Sequence, residues 1–434
     1  MDGTYRRTGS GADESLQDPQ SQWQGCAFSN SAGHDGGLPM NLVEFSAVYK
    51  RDHQPEWPVL SEVRRARAAL ARAAPLVPAS DIRRLRARLA EPAFLLHAGD
   101  CAETFQDNTR LSVGRRVSLL RSIAGLIEAE CACSVVTVGR IAGQYAKPRS
   151  APVERRAGFV LPSYFGDAVN AADFSAGARA PDPWNMVRAR EQSRTTLSYL
   201  ESTGVFTSHE ALLLDYEQPQ TRRSTDDGRT YAHSAHLLWI GERTRSPTGP
   251  HIAFAAEIAN PIAVKIGPSA TPADLMALHA VLNPDNIPGR LAFIFRMGRA
   301  RAYDLVYAML SRMVAEGWVD RVLCDPMHGN TVVSPAGVKT RVVAQIEDEL
   351  RAFFGACNDT GVTPGGIHLE VSGDDVSECV GTQVEDTYLA TNYRSVCDPR
   401  LNPEQALYLA RVVAELLASH RDFDSWMELT LTHR

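Results

Sequence analysis

Several features are scarce in this 434-residue chain, and each absence removes a class of function. No apolar run approaches the roughly 20 residues needed to cross a bilayer. No apolar core follows Met1-Asp2-Gly3-Thr4-Tyr5-Arg6-Arg7, so neither a membrane protein nor a secretory precursor is expected. Cationic excess is lacking: 45 Lys and Arg against 51 Asp and Glu leave a formal charge of −6, the wrong sign for a nucleic-acid or anionic-membrane partner. The eight cysteines are scattered without a CxxC pair, which argues against a disulfide scaffold and makes reduced thiols the default. Neither GxGxxG nor GxxxxGK[ST] occurs, so the glycine-rich phosphate turns of nucleotide-binding α/β folds are missing. A cytoplasmic location is expected.

Residues 1–38, rich in Gly, Ser, Asp and Gln, are expected to form a disordered or flexible tail. Residues 39–92 read as an N-terminal helical extension, with helices over 57–74 and 80–90. In the second, Ser80 is a natural N-cap, and Ile82, Leu85 and Leu89 make one apolar stripe. The arginines here (Arg64, Arg65, Arg83, Arg84, Arg86 and Arg88) read as a solvated face rather than an anion site.

Over residues 93–434 a different rhythm sets in. Short apolar runs stop at polar or charged residues: 94–97 at Asp100-Cys101, 135–138 at Arg140, 212–214 at Asp215 and Glu217, and 237–240 at Glu242-Arg243. Further on, 262–264 stops at Lys265, 291–295 at Arg296, 322–323 at Cys324-Asp325-Pro326-Met327-His328, and 367–369 at Glu370. Helical periods fill most of the gaps, as with Val306, Met309, Leu310 and Met313, or Val343, Ile346, Leu350 and Phe353. The last helix opens on Asn402 as N-cap, with Pro403 at its first position and Gln405 three residues past the cap. Strand–helix units with polar strand ends predict an α/β fold, a (β/α)8 TIM barrel whose C-terminal face carries the site. An open doubly wound sheet is the alternative, and it would normally show the missing glycine-rich turn.

In a closed barrel strands 7, 8 and 1 adjoin, which gathers His328, Glu370 and Cys101. The turn Cys397-Asp398-Pro399-Arg400 follows strand 8 closely enough to fold over the same sector. A thiolate, an imidazole and two carboxylates suit a divalent first-row metal such as Mn, Co, Fe or Zn. Each also has a plainer reading alone: Cys101 buried, His328 hydrogen-bonded, Glu370 paired to an arginine, Asp398 capping a turn. Arg140, Arg243, Lys265 and Arg296 end strands in the remaining sector. Gathered cations suit a multiply charged anion, unless each pairs with a nearby acid, as Arg243 would with Glu242. Lys147-Pro148-Arg149-Ser150, after strand 2, offers two cations and a hydroxyl to a second phosphate, or is simply solvated. A metal beside an anion pocket fits the joining of a phosphorylated aldehyde to a second small anion.

The stretches LLHAGDCAETF (95–105), VGRIAGQYAKPRS (138–150), SAHLLWIGERTR (234–245), NPIAVKIGP (260–268), LNPDNIPGRL (282–291), RMG (296–298), CDPMHGNT (324–331), GGIHLEVSG (365–373) and CDPRLN (397–402) span most of the barrel region. Together they resemble the type II 3-deoxy-D-arabino-heptulosonate 7-phosphate (DAHP) synthases. The resemblance implies condensation of phosphoenolpyruvate with D-erythrose 4-phosphate, releasing phosphate, at the opening of the shikimate pathway. It implies a divalent metal, manganese or cobalt ahead of iron or zinc, on Cys101, His328, Glu370 and Asp398. Phosphoenolpyruvate contacts fall on Arg140, Glu242, Arg243, Lys265 and Arg296, with Glu242 and Lys265 handling the proton of the water that adds at C2. The aldose phosphate falls on Lys147, Arg149 and Ser150. A homo-oligomer, dimer or tetramer, is expected. Alternatives are an imino or amino analogue of erythrose 4-phosphate as substrate, or a catalytically silent binding or scaffold homologue.

There are departures. His97-Ala98-Gly99-Asp100-Cys101 stands where the family commonly has Gln-Gly-Gly-Asp-Cys, Phe165 where Arg is usual, and Asp375 where Asn is familiar. These bear on sugar contacts or aldehyde preference. The segment from Asp167 to His209 is shorter than in feedback-inhibited members, which carry an extra helical pair. Little inhibition by phenylalanine or tryptophan is therefore expected, as in members dedicated to secondary metabolism. Cys397 is expected near Cys101, where a disulfide would remove a metal ligand; Cys324 is expected to be structural.

Overall fold

Alternation along parallel strands builds the architecture. In the computed structural model, which describes residues 53–149 and 151–420, eight strands close into a barrel. They are β1 (Phe94–Gly99), β2 (Val135–Arg140), β3 (Phe206–Glu210), β4 (Leu237–Ile240), β5 (Ile262–Ile266), β6 (Leu291–Phe295), β7 (Arg321–Cys324) and β8 (Gly366–Glu370). Ring order follows chain order, and β1 closes the ring by pairing with both β2 and β8. The expected tail (1–38), the start of the extension and Ser150 lie outside the described residues.

Alternate side chains of each strand point inward. Toward the N-terminal ends these are apolar: Leu95, Val136, Val138, Leu237, Ala263, Ala292, Ile294 and Leu323 form one cluster. Toward the C-terminal ends buried polar groups take over, among them His97, Arg140, Ser208, Lys265, His368 and Glu370. The outward set packs under a ring of helices: α3 (Arg110–Cys131), α4 (Trp184–Leu200), α5 (Pro250–Glu257), α6 (Pro272–Leu282), α7 (Ala302–Ala315), α8 (Val343–Thr360) and α9 (Pro403–Ser419). The apolar stripes expected on α7 and α8 are buried, and Asn402 and Gln405 form a reciprocal capping box on α9. None of the described helices is long and apolar enough to cross a membrane.

Among the described residues two helices precede the barrel, α1 (Leu60–Arg72) and α2 (Ala79–Ala90). Leu85 and Leu89 of α2 join the apolar cluster at the barrel's N-terminal end, so this helix is its floor. Burying each leucine there stabilises by roughly 1.5–3 kcal/mol. Arg321 of β7 donates to Leu89 O at 2.8 Å and Glu91 O at 3.2 Å, satisfying carbonyls at the helix end. Gly289 has φ 71°, and a Cβ there would lie 2.3 Å from Arg86 O, so no larger residue fits against the floor. Ser80 does not cap α2: the helix begins at Ala79 behind Pro78, with no side-chain cap, which places Ser80 inside the first turn.

The third strand also differs from expectation. Leu212 and Leu213 are loop and Leu214–Glu217 a helical turn, while the strand is Phe206–Glu210. Its buried Thr207, Ser208 and His209 are polar, so the run carries no apolar signature. Hydrogen bonds make their burial tolerable: Ser208 Oγ donates to Gly139 O at 2.8 Å, Thr207 Oγ1 meets His236 Nδ1 at 2.9 Å, and His209 Nε2 meets Glu217 Oε1 at 2.7 Å. Leu212 and Leu213 instead fill a side cluster against α1 and α4.

Candidate active site

Glu370, the last residue of β8, is fully buried at the barrel mouth. Its Oε1 lies 3.0 Å from Arg140 Nη2, 3.0 Å from His328 Nε2 and 3.6 Å from Lys147 Nζ; its Oε2 accepts from Arg341 Nη1 at 2.7 Å. Burial opposes the charge, but His328, Lys147, Arg341 and Arg140 hold the carboxyl well below the usual carboxylate range. Asp398, in the turn after β8, pairs with Lys147 and Lys339, and it too is held low despite burial.

His328 sits between two carboxylates. Its Nδ1 is 2.8 Å from Asp325 Oδ2, and its Nε2 faces Glu370 Oε1. With Nδ1–H donated to Asp325, Nε2 presents a lone pair to a carboxylate oxygen. Two acceptors at that separation require a proton or a metal cation between them. An acid behind an imidazole is also how histidine is oriented toward metals. Ligand atoms of His328, Glu370 and Asp398 all lie within 4.8 Å of one another, as do those of Asp325, His328 and His368. The Lys147 ammonium joins Glu370 and Asp398, so cationic charge already occupies this corner. The donor set fits a divalent ion.

Cys101 is buried beside this corner but outside both groups of three. Its Sγ lies 3.2 Å from Ser395 Oγ, with the Cys397 thiol near enough to act on its titration. Burial raises the thiol's pKa, yet Cys397 and Lys147 more than offset this and bring it to about 7. Cys324 is buried and its thiol is pushed well up by burial, as befits a structural residue.

The strand-end cations are not an unneutralised cluster. Arg140 pairs with Glu370 and Lys265 with Asp325, whereas Arg296 donates to His328 O at 3.0 Å. Burial pushes Lys265 down to about 8, against the pull of Asp325. Arg243 Nη1 lies 3.4 Å from Pro148 O, on the rim. Glu242 pairs with Arg245 at 3.1 Å and accepts from Gly267 N at 2.5 Å and Ser269 Oγ at 3.2 Å, bridging the β4 and β5 ends. Of the loop after β2, Lys147 turns into the metal corner, while Arg149 reaches Glu154 at 3.5 Å and Cys397 Sγ at 3.7 Å.

Several residues of the site carried no sequence signal. Lys339 and Arg341 come from a short hairpin, Thr331–Val333 with Lys339–Arg341, which interrupts the chain between β7 and α8. Glu349 of α8 accepts from Met297 N at 2.8 Å, Gly298 N at 3.0 Å and Asn330 Nδ2 at 2.6 Å, joining the loops after β6 and β7. Asp325 stood inside the strand-end motif, where a buried acid three residues before a histidine was the available hint. Of the departures, His97 is buried behind Arg140, Phe165 packs partly buried in the side cluster, and Asp375 is exposed.

Comparison with known proteins places this geometry in context. The model of the class-II DAHP synthetase family matches residues 45–204 and 198–414. A probable phospho-2-dehydro-3-deoxyheptonate aldolase from Pseudomonas fluorescens is 42% identical over 369 residues, covering 82% of this chain and 92% of the relative. A phospho-2-dehydro-3-deoxyheptonate aldolase from Streptomyces coelicolor is 38% identical over 424 residues, covering 84% and 94%. One from Mycolicibacterium smegmatis is 40% identical over 381 residues, covering 74% and 82%.

Proposed function

The chain belongs to the class-II DAHP synthetase family, and on that premise we propose how its barrel mouth carries the reaction. It condenses phosphoenolpyruvate with D-erythrose 4-phosphate and water to give DAHP and inorganic phosphate, the first step of aromatic biosynthesis. The observation that best supports the assignment of residues is Glu370, one buried carboxylate shared between the imidazole of His328 and the guanidinium of Arg140.

Cys101, His328, Glu370 and Asp398 would hold a divalent metal, manganese or cobalt ahead of iron or zinc. When bound, that ion supplies Lewis-acid polarisation of the aldehyde carbonyl. Arg140, Arg243, Lys265 and Arg296 bind phosphoenolpyruvate, and Lys147, Arg149 and Ser150 bind the aldose phosphate. Fixed at both ends, the two anions present C3 of phosphoenolpyruvate to the aldehyde carbon, so positioning and electrostatics carry much of the acceleration. As that bond forms C2 becomes cationic and takes up water. Lys265, whose pKa of about 8 suits proton transfer near neutrality, and Glu242 handle the proton of that water. The C2–oxygen bond to phosphate then breaks. The same reading includes a cytoplasmic homo-oligomer, dimer or tetramer.

Phosphate release tests this directly. Purified enzyme is assayed with phosphoenolpyruvate and, side by side, erythrose 4-phosphate or its amino analogue, with metal analysis. Turnover with erythrose 4-phosphate, lost on chelation and restored by one divalent ion, is expected. Preference for the amino analogue would move the substrate assignment, and release with neither would leave a silent homologue.

A further inference from the structure

We infer that His97, His368 and Ser208 are positioning residues for Arg140, forming a one-way hydrogen-bond chain that fixes its guanidinium plane and leaves its Nε–H for phosphoenolpyruvate. The inference rests on the assignment of Arg140 to that substrate.

The direction of the chain follows from donor chemistry. Arginine can only donate, so His368 Nε2, 2.8 Å from Arg140 Nη1, is a bare lone pair. The single proton of that ring is then on Nδ1, which lies 2.9 Å from His97 Nδ1. His97 Nδ1 must accept, so its own proton is on Nε2, 2.8 Å from Ser208 Oγ. The hydroxyl accepts there and donates to Gly139 O at 2.8 Å. Each bond dictates the next, and both rings are neutral with opposite tautomers.

The chain is also dry and walled. His97, His368 and Ser208 are 0% exposed and Arg140 and Trp239 2%, so water cannot replace a link. Trp239 stands edge-on to both imidazoles and lies 5.1 Å beneath the guanidinium. Arg140 Nη2 is committed to Glu370 and Cys101 O. Only its Nε is buried without a partner among the described residues, and it is the donor kept for an incoming anion. Glu370 already balances the charge of Arg140. A carboxylate in place of His368 would add a second negative charge where an anion must bind, whereas a neutral imidazole holds the guanidinium without adding any.

His97→Ala cuts the chain without touching Arg140. KM for phosphoenolpyruvate is expected to rise about tenfold, equivalent to about 1.4 kcal/mol, while kcat and KM for erythrose 4-phosphate change less than about twofold. His97→Phe keeps bulk but neither donates nor accepts, and should behave like His97→Ala. His97→Gln accepts with Oε1 and donates with Nε2, and should return KM to within about twofold of wild type, a rescue that lost packing alone would not give. Long-range 1H–15N spectra of histidine-labelled wild-type enzyme should show Nε2–H at His97 and Nδ1–H at His368, whatever the fate of the variants. An unchanged KM in both His97→Ala and His97→Phe, or identical tautomers in the two rings, would overturn the inference. A wild-type enzyme that releases no phosphate would overturn the proposed function instead, and the tautomer measurement would still stand.

Discussion

Replacing Arg341 by methionine tests whether the metal corner is built around a charge that the protein cannot leave alone. Arg341 and Glu370 are both fully buried, with Nη1 2.7 Å from Oε2. Nε also donates to Thr331 Oγ1 at 3.1 Å, and Nη1 to Pro399 O. Methionine keeps most of the stem's packing but leaves one Glu370 oxygen without its cation. Removing one member of a buried pair typically costs about 3–5 kcal/mol when the partner's charge stays buried. Arg140 and Lys147 still face Oε1, which sets the expectation at the lower end of that range. A bound divalent ion at Glu370 would supply part of the missing charge. Arg341→Met should therefore unfold several kilocalories earlier in chelator, and adding manganese or cobalt should stabilise the variant more than wild type. Thermal and urea unfolding of both proteins, with and without metal, measure the double difference. A variant within about 1 kcal/mol of wild type in chelator would refute the reasoning, since exposed pairs contribute only that much. So would equal metal stabilisation of the two proteins, because Glu370 would then not be the shared partner.

Four other outcomes follow from the same geometry. Cys101→Ala and His328→Ala should lose metal-dependent turnover with unchanged circular dichroism; full activity in metal-stripped variants would sink the ligand assignment. Glu349 is buried and, chiefly through burial, raised to about 7, so the folded state holds its proton more tightly than the unfolded chain does. The stability it contributes is present at acid pH and lost as pH rises through 7, on the order of 3 kcal/mol. The stability difference between wild type and Glu349→Gln should shift by that amount between pH 4.5 and 8, and a flat difference would contradict it. Oxidised glutathione should join the adjacent Cys101 and Cys397 thiols, itself being reduced, and stop turnover; an inactive oxidised sample with both thiols free by mass spectrometry would dispose of the idea. Phenylalanine and tryptophan should inhibit little, and clear inhibition by either at modest concentration would show that regulation does not need the longer insert.

What could be read from the chain was local, and what could not was a matter of closure. Leu85 and Leu89 announced a helix stripe, but nothing nearby said that the stripe would face the inside of a barrel. Residues 206–210 escaped notice because a strand whose buried side chains are Thr207, Ser208 and His209 looks like a loop until its partners are known. Lys339 and Arg341 were invisible as site residues because a three-residue strand has no period to detect. The division into a metal sector and an anion sector was itself an artefact of reading strand ends one at a time. In the register of the sheet, Gly99 at the end of β1 is level with Arg140 on one side and Glu370 on the other. With no side chain between them, the arginine of β2 reaches the carboxylate of β8 across β1. A Cβ at position 99 would lie 2.7 Å from Arg140 O, on a backbone with φ 152°. The glycine thus makes one site of two, coupling the residue assigned to phosphoenolpyruvate to a carboxylate assigned to the metal. That coupling was written in the sequence as Ala98-Gly99-Asp100, but only a closed ring gives it meaning.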